Sequence, residues 1–260
     1  MANKLQLRRE KIMDLLSQVP ISSTQQLAEA TDVSTETMRK DLDALAEKGL
    51  IIKVHGGAAL ANTVSERPFD LRAKEHVEQK IKIATAAAKL VEKGDAILME
   101  NCTTNLELAK VLVQDLELLQ TLVVITNSFE IASLFNSGGL CQRLFFLGGW
   151  VRPQEHAAHG YQTTKMMQEV HVNKAFISGA AVSEQLMITG YYDDDVVFQK
   201  TALKCADEII LMLDSSKYGK NALLTAAHLS DVDYLVTDQA FPKEQLKEIT
   251  SMNVSYILAQ

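Results

Sequence analysis

ISSTQQLAEATDVSTETMRKDLDALAEKGLIIKVHGG, residues 21–57, reads as two short helices joined by a tight turn and followed by a small hairpin. Ser23 or Thr24 can cap a helix over 25–30, with Leu27 and Ala28 facing inward. Ser34 can cap a second helix over 35–48 by accepting hydrogen bonds from the free N–H groups of its first turn. Met38, Leu42, Leu45 and Ala46 share one face of that helix at helical spacing. Its other face begins with Thr35, Glu36, Thr37, Arg39 and Lys40. Short hydroxyls and cations at the start of a helix whose back is anchored are what a helix needs to enter a major groove. Gly49 ends the helix. Residues 50–55 read as a strand and Gly56-Gly57 as a turn, which gives a basic wing carrying Lys53 and His55.

Working outward, a first helix is expected over about 5–18, with Ile12, Leu15, Leu16 and Val19 as its core stripe and Pro20 as its stop. Arg8-Arg9 precede that stripe. Val33-Ser34-x-x-Thr37-Met38-Arg39-Lys40-Asp41-Leu42 follows, then Gly49-Leu50 and Val54-His55-Gly56-Gly57-Ala58. This set resembles the DeoR family of bacterial transcription regulators. The resemblance implies a winged helix-turn-helix that holds operator DNA. Arg8, Arg9, Arg39, Lys40 and Lys53 would neutralise phosphates, and Thr35, Glu36, Thr37 and Arg39 would face bases. His55 would shape the wing turn or touch DNA.

The chain has 260 residues, 47% of them apolar, which suits two domains. The expected division is a DNA-binding domain over 1–57, a linker over 58–75 around Arg67-Pro68, and an effector-binding domain over 76–260. No apolar run reaches the length of about 18 residues that a membrane span needs. MANKLQLRREK lacks the apolar core of a signal peptide, so the cytoplasm is the expected compartment. Cys102, Cys141 and Cys205 are isolated, and the six histidines lack metal-ligand spacing, so neither metal nor cofactor is expected. The net charge of −7 falls outside residues 1–60, where eight Lys/Arg balance eight Asp/Glu. A neutral DNA-binding domain makes few phosphate contacts per subunit, so a homo-oligomer is expected.

From His76 the pattern alternates between helices and short apolar strands. Helices are expected over about 78–92, 104–113, 129–135, 163–170, 196–206 and 243–250. Strands are expected over 96–99, 122–126, 143–147, 174–178, 208–213, 234–237 and 254–257. Such strands form a mostly parallel α/β sheet covered on both faces, with ligands at the strands' carboxyl ends. Polar or Gly-rich loops fall at those ends: Glu100-Asn101-Cys102-Thr103-Thr104, Thr126-Asn127-Ser128, Gly148-Gly149 with Arg152, Gly179, and Asp214-Ser215-Ser216-Lys217. Hydroxyls and free N–H groups at a helix N-terminus suit a phosphate, and Lys217 and Arg152 would add charge.

Each of these loops also resembles a DeoR-family loop. The resemblance implies a domain similar to sugar-phosphate isomerases and CoA transferases that binds a phosphorylated sugar or polyol. The family's D-x-G-T-T stands here as Glu100-Asn101-Cys102-Thr103-Thr104, so Glu replaces Asp and Cys replaces Gly. The family's acidic residue ahead of the next helix falls on Asp194 or Asp195, and its early Glu-Lys pair on Gln79-Lys80. The function expected is a transcription regulator, a repressor of a carbohydrate operon that is released by such an effector and is not an enzyme. The competing reading is a working sugar-phosphate isomerase with a DNA-binding module attached, using Glu100, Asp194, Asp195 or Asp214 as base.

Overall fold

The computed structural model describes residues 2–18, 21–54, 56–60, 66–139 and 141–260. Val19, Pro20 and His55, each given a role above, lie outside the described residues. The chain divides into two compact units, Met1–Pro68 and Phe69–Gln260.

The first unit contains α1 (Ala2–Gln18), β1 (Ile21–Ser23), α2 (Thr24–Ala30), α3 (Thr35–Glu47), β2 (Ile51–Val54) and β3 (Gly57–Leu60). Ser23 caps α2 reciprocally. Its Oγ accepts from the Gln26 N–H at 3.1 Å, and the Gln26 side chain accepts from the Ser23 N–H at 2.8 Å. Ser34 Oγ accepts from the Thr37 N–H at 3.2 Å and starts α3. Gly49, at φ +67°, ends that helix: its left-handed turn lets the Leu50 N–H reach back to the Leu45 carbonyl. Ile12, Leu16, Leu27, Met38, Leu42, Leu45 and Ile51 form the core. The wing differs from the sequence reading. Gly57 opens a third strand rather than closing a turn, and β3 pairs with both β1 and β2 in an antiparallel sheet of order β1-β3-β2. A Cβ at Gly57 would lie 2.2 Å from the Ser22 carbonyl oxygen, so this close approach of strands requires glycine.

The second unit begins with α4 (Phe69–Arg72), α5 (Val77–Ala88), β4 (Ala96–Met99), α6 (Thr103–Leu112), α7 (Leu116–Leu119), β5 (Val123–Thr126), α8 (Phe129–Asn136) and β6 (Arg143–Phe146). A hairpin of β7 (Trp150–Arg152) and β8 (Ala157–His159) leads to α9 (Tyr161–Met167) and β9 (Val172–Ile177). Then come β10 (Ala181–Val182), β11 (Met187–Gly190), α10 (Asp193–Cys205), β12 (Ala206–Leu213), β13 (Leu224–His228), β14 (Tyr234–Thr237), α11 (Lys243–Ser251) and β15 (Ser255–Leu258). Seven strands form one sheet in the order β15-β14-β12-β9-β4-β5-β6, with every neighbouring pair parallel.

The period-2 alternation of these strands divides the core between two faces. Leu98, Ile125, Ala175, Ile177, Leu211 and Leu235 pack with Met167, Val196, Ala202 and Ile249 of α9, α10 and α11. Ile97, Met99, Val124, Phe176, Ile210 and Val236 pack with Ile83, Leu108, Ile131 and Phe135 of α5, α6 and α8. Both faces are covered by helices, as a parallel sheet requires. Chain order reverses between β4 and β9: β5 and β6 lie on one side of this pair, and β12, β14 and β15 on the other. Crevices at such switch points, outside the strands' carboxyl ends, are where open α/β sheets bind ligands. Beside the expected elements stands a small antiparallel sheet of order β10-β11-β13.

Candidate functional site

Two sites were expected, one in each unit. On the first unit, Thr35, Glu36, Arg39 and Lys40 are exposed on α3, while Met38 and Leu42 are buried behind them. Lys40 pairs with Glu36 one turn away at 3.2 Å. Arg39 has no ion pair among the described residues. The Thr37 hydroxyl lies 3.0 Å from Ser34 Oγ and belongs to the helix cap. Arg8 and Arg9 converge on one carboxylate: their Nε atoms donate to Asp41 Oδ2 at 2.6 Å and Oδ1 at 3.1 Å. The Asp41 side chain is 3% exposed, so this fork clamps α1 to α3 and neutralises an otherwise buried charge. Lys53 on β2 pairs with Asp43.

On the second unit, the loops after β4 and β9 meet at the switch point. Glu100 is buried there. Its Oε2 accepts from the Ser178 N–H at 2.7 Å and its Oε1 from Gln199 Nε2 at 2.9 Å. Burial pushes the carboxyl up to about 8, against these two hydrogen bonds, so it is mostly protonated at neutral pH. Gln199 also donates to the Ser178 carbonyl at 2.9 Å, and its own Oε1 is buried without a partner among the described residues. Lys217 donates to the Gly179 carbonyl at 2.6 Å and to Ser178 Oγ at 3.3 Å. Burial opposes ionisation of the neighbouring Asp214, yet Lys217 and hydrogen bonds from Ser216 hold its carboxyl below the usual range.

Cys102 has ordinary extended backbone (φ −152°, ψ 160°), a conformation that needs no glycine. Its Sγ caps α6 by accepting from the Asn105 N–H at 3.3 Å. Burial, then the adjacent Glu100, push the thiol up to about 11, so it stays protonated. Thr103 and Thr104 follow in the first turn of α6, 5% and 1% exposed. Asn101 joins three loops: its N–H donates to Asn127 Oδ1, and its Nδ2 to the Glu155 carbonyl, both at 2.9 Å.

Other expected residues are engaged within the protein. Thr126 Oγ1 donates to the Met99 carbonyl at 2.8 Å, and Ser128 Oγ caps α8. The Gly148 carbonyl accepts from Thr163 Oγ1 at 2.8 Å. A Cβ on Gly149 would lie 2.2 Å from that same Oγ1 and 2.6 Å from the His159 carbonyl, so β7 needs glycine to approach β8. Arg152 lies over the Tyr192 ring at 4.4 Å and pairs with Asp194 and Asp195, each at 3.3 Å. His159 Nδ1 lies 3.1 Å from Asp195 Oδ1, and its Nε2 is buried without a partner among the described residues.

The sequence motifs give no role to Ser178, His159 or Gln199, and Lys80 enters only through the family's early Glu-Lys pair. Gln199 had a legible signal: it is the polar member of the stripe Val196, Gln199, Ala202 on the buried face of α10. Lys80 is buried on α5, and its Nζ donates to the carbonyls of Arg72 and Glu75. Burial pushes its ammonium down from the ordinary lysine range. A cleft of about 630 Å³, lined by His171, Val197, Lys200 and Lys204 among others, lies at the N-terminal end of β9, away from these loops.

No helix among the described residues is long and apolar enough to cross a membrane. The chain is 32% identical over 254 residues to the lactose phosphotransferase system repressor of Lactococcus lactis subsp. lactis, covering 94% of each. It is 30% identical over 245 residues to the HTH-type transcriptional repressor GlcR of Bacillus subtilis, covering 93% of this chain and 91% of that one. A ribose 5-phosphate isomerase A from Methanocaldococcus jannaschii superposes on 55% of each chain with a TM-score of 0.40 at 22% identity. The DeoR-like helix-turn-helix domain matches residues 8–64, and the DeoR C terminal sensor domain matches residues 75–239. With both parts of the family's architecture present in order along most of its length, the chain belongs to the DeoR family of transcriptional regulators.

Proposed function

We propose that the protein represses a carbohydrate-utilisation operon and leaves its operator when a phosphorylated sugar or polyol fills the crevice at the β4/β9 switch point. The names of its relatives support the regulated process: one is a repressor of a lactose phosphotransferase system, another a putative aga operon transcriptional repressor of Escherichia coli O157:H7. On α3, Arg39 and Lys40 meet the duplex together with Thr35, Glu36 and Thr37. Arg8 and Arg9, whose Nε atoms hold Asp41, reach phosphates with their terminal amino groups, and Lys53 does so from the wing. Residues 1–60 carry no net charge, so operator affinity comes from several subunits of a homo-oligomer acting together in the cytoplasm.

The observation that carries the effector reading is the first turn of α6. Its N-terminus holds the N–H groups and side chains of Thr103 and Thr104, which are 5% and 1% exposed, with Lys217 in electrostatic range of Cys102. A helix N-terminus beside a cation suits a phosphate. Glu100 and Gln199, at the inner wall, suit sugar hydroxyls: the neutral acid can donate, and the unpaired Gln199 oxygen accepts.

Calorimetry against sugar and polyol phosphates and their unphosphorylated parents tests this. A phosphorylated compound should bind and its parent should not. Thr104→Val and Lys217→Ala should weaken binding about tenfold or more, the size of one lost charge-assisted hydrogen bond. The sugar phosphates should be recovered unchanged, as for a regulator without isomerase activity. If no phosphate compound binds, or both variants bind like wild type, the pocket assignment is wrong.

A further inference from the structure

Helix α4 follows directly from Pro68, where the DNA-binding unit ends, and it is held more firmly than a single helical turn requires. Phe69 is 2% exposed and stacks on the His156 ring, with centroids 5.6 Å apart. The Arg72 guanidinium lies 5.6 Å over the Phe69 ring and pairs with Glu155; the two charged side chains are only 13% and 8% exposed. Lys80 closes the far end of this turn through the Arg72 and Glu75 carbonyls.

These anchors lead to the loops at the switch point. Glu155 uses two groups in two directions: its carboxylate holds Arg72, and its carbonyl accepts from Asn101 Nδ2. Asn101 Oδ1 is buried and has no hydrogen-bond partner among the described residues. Lys80 lies within electrostatic range of Asp214, Lys217 and Cys102. A buried amide oxygen left unpaired is costly, so a ligand hydroxyl that satisfied it would fix or turn the Asn101 amide. Turning the amide re-aims Nδ2 and with it the Glu155 carbonyl. A buried ion pair moves as a unit, because separating it leaves an uncompensated charge.

We propose that Glu155 is a positioning residue that transmits the state of the effector loop at Asn101 to helix α4, and so to the chain that enters the DNA-binding unit. The proposal rests on the effector reading above and adds the route by which the effector acts.

Hydrogen exchange on the full chain, without ligand, tests the link itself. The amides of Ala73, Lys74 and Glu75 donate to the carbonyls of Phe69, Leu71 and Arg72. In Asn101→Ala they should exchange roughly tenfold faster, as expected when a local anchor is lost. Asn101→Asp keeps the shape but removes the donor, and should do the same with unchanged circular dichroism. Thr104→Val, in the first turn of α6 and off the route, should leave these amides at the wild-type rate. Wild-type exchange in both Asn101 variants, or equal loosening in Thr104→Val, overturns the proposal. The second arm uses Glu155→Gln on labelled operator, with ribose 5-phosphate, fructose 6-phosphate and inorganic phosphate as probes. A probe that releases wild type should still bind Glu155→Gln by calorimetry yet fail to release it; release at the wild-type concentration overturns the proposal. If no probe acts on wild type, it is the effector reading that fails, and the exchange arm alone decides the link.

Discussion

The chemistry of Glu100 is set by its surroundings. Its carboxyl titrates near 8 in the folded protein, because burial penalises the charge, against 4.5 for an ordinary glutamate. Below about pH 4 both the folded and the unfolded chain hold the proton, and the group's contribution to stability is fully present. Between about pH 4.5 and 8 only the unfolded state ionises, so stability falls with rising pH by about 1.4 kcal/mol per unit. Glu100→Gln removes this titration. Relative to wild type it should gain on the order of 3 kcal/mol between about pH 5 and pH 8, read from urea unfolding midpoints. Equal pH slopes in the two proteins would mean that the carboxyl ionises normally. The sequence marked Glu100 as a polar residue at a strand end, but not as a buried one. Its burial depends on Ser178 and Gln199, 78 and 99 residues away in the chain. The same holds for Arg8 and Arg9, legible as cations but not as a clamp on Asp41, which lies on another helix.

At the scale of elements, legibility followed periodicity and caps. α2, α3 and α6 begin at or next to residues whose side chains or first turns read as starts, and β4 and β14 match their apolar runs in full. The hairpin β7/β8 and the strands β10, β11 and β13 were not read. They are two to five residues long, and β11 also pairs with a distant partner, Ile188 sitting opposite Ala227. Short strands of this kind carry too few alternations to register as a pattern. The wing shows the same limit. Gly56-Gly57 signals a turn, yet Gly57 is a strand residue whose missing side chain lets β3 lie against β1. Gly57→Ala should therefore cost the first unit roughly 1–3 kcal/mol, as overpacking does. It should lower the thermal midpoint of that unit, while Gly56→Ala, with open space around it, should cost only the strain of a positive φ. A midpoint unchanged in Gly57→Ala would contradict the three-stranded wing.

At the scale of the whole molecule, two separately cored units carry the two halves of a regulator. The first exposes a helix with hydroxyls and cations on a buried apolar anchor. The second gathers a helix N-terminus, a lysine and a neutral acid at the one place where its sheet reverses order. A parallel sheet with a switch point offers such a place whatever the ligand, so alternating helices and strands point to the strands' carboxyl ends without saying which ligand goes there. The most direct test of the account is fluorescence anisotropy of the full-length protein on a duplex selected from a random pool, titrated with the sugar phosphate that calorimetry identifies. Wild type should bind this duplex well above a scrambled one, and Arg39→Ala should lose roughly 1–3 kcal/mol of that preference while keeping its circular dichroism. The sugar phosphate should release wild type, and the unphosphorylated sugar should leave it bound. Equal affinity for selected and scrambled duplex, or release by both sugars alike, would contradict the account.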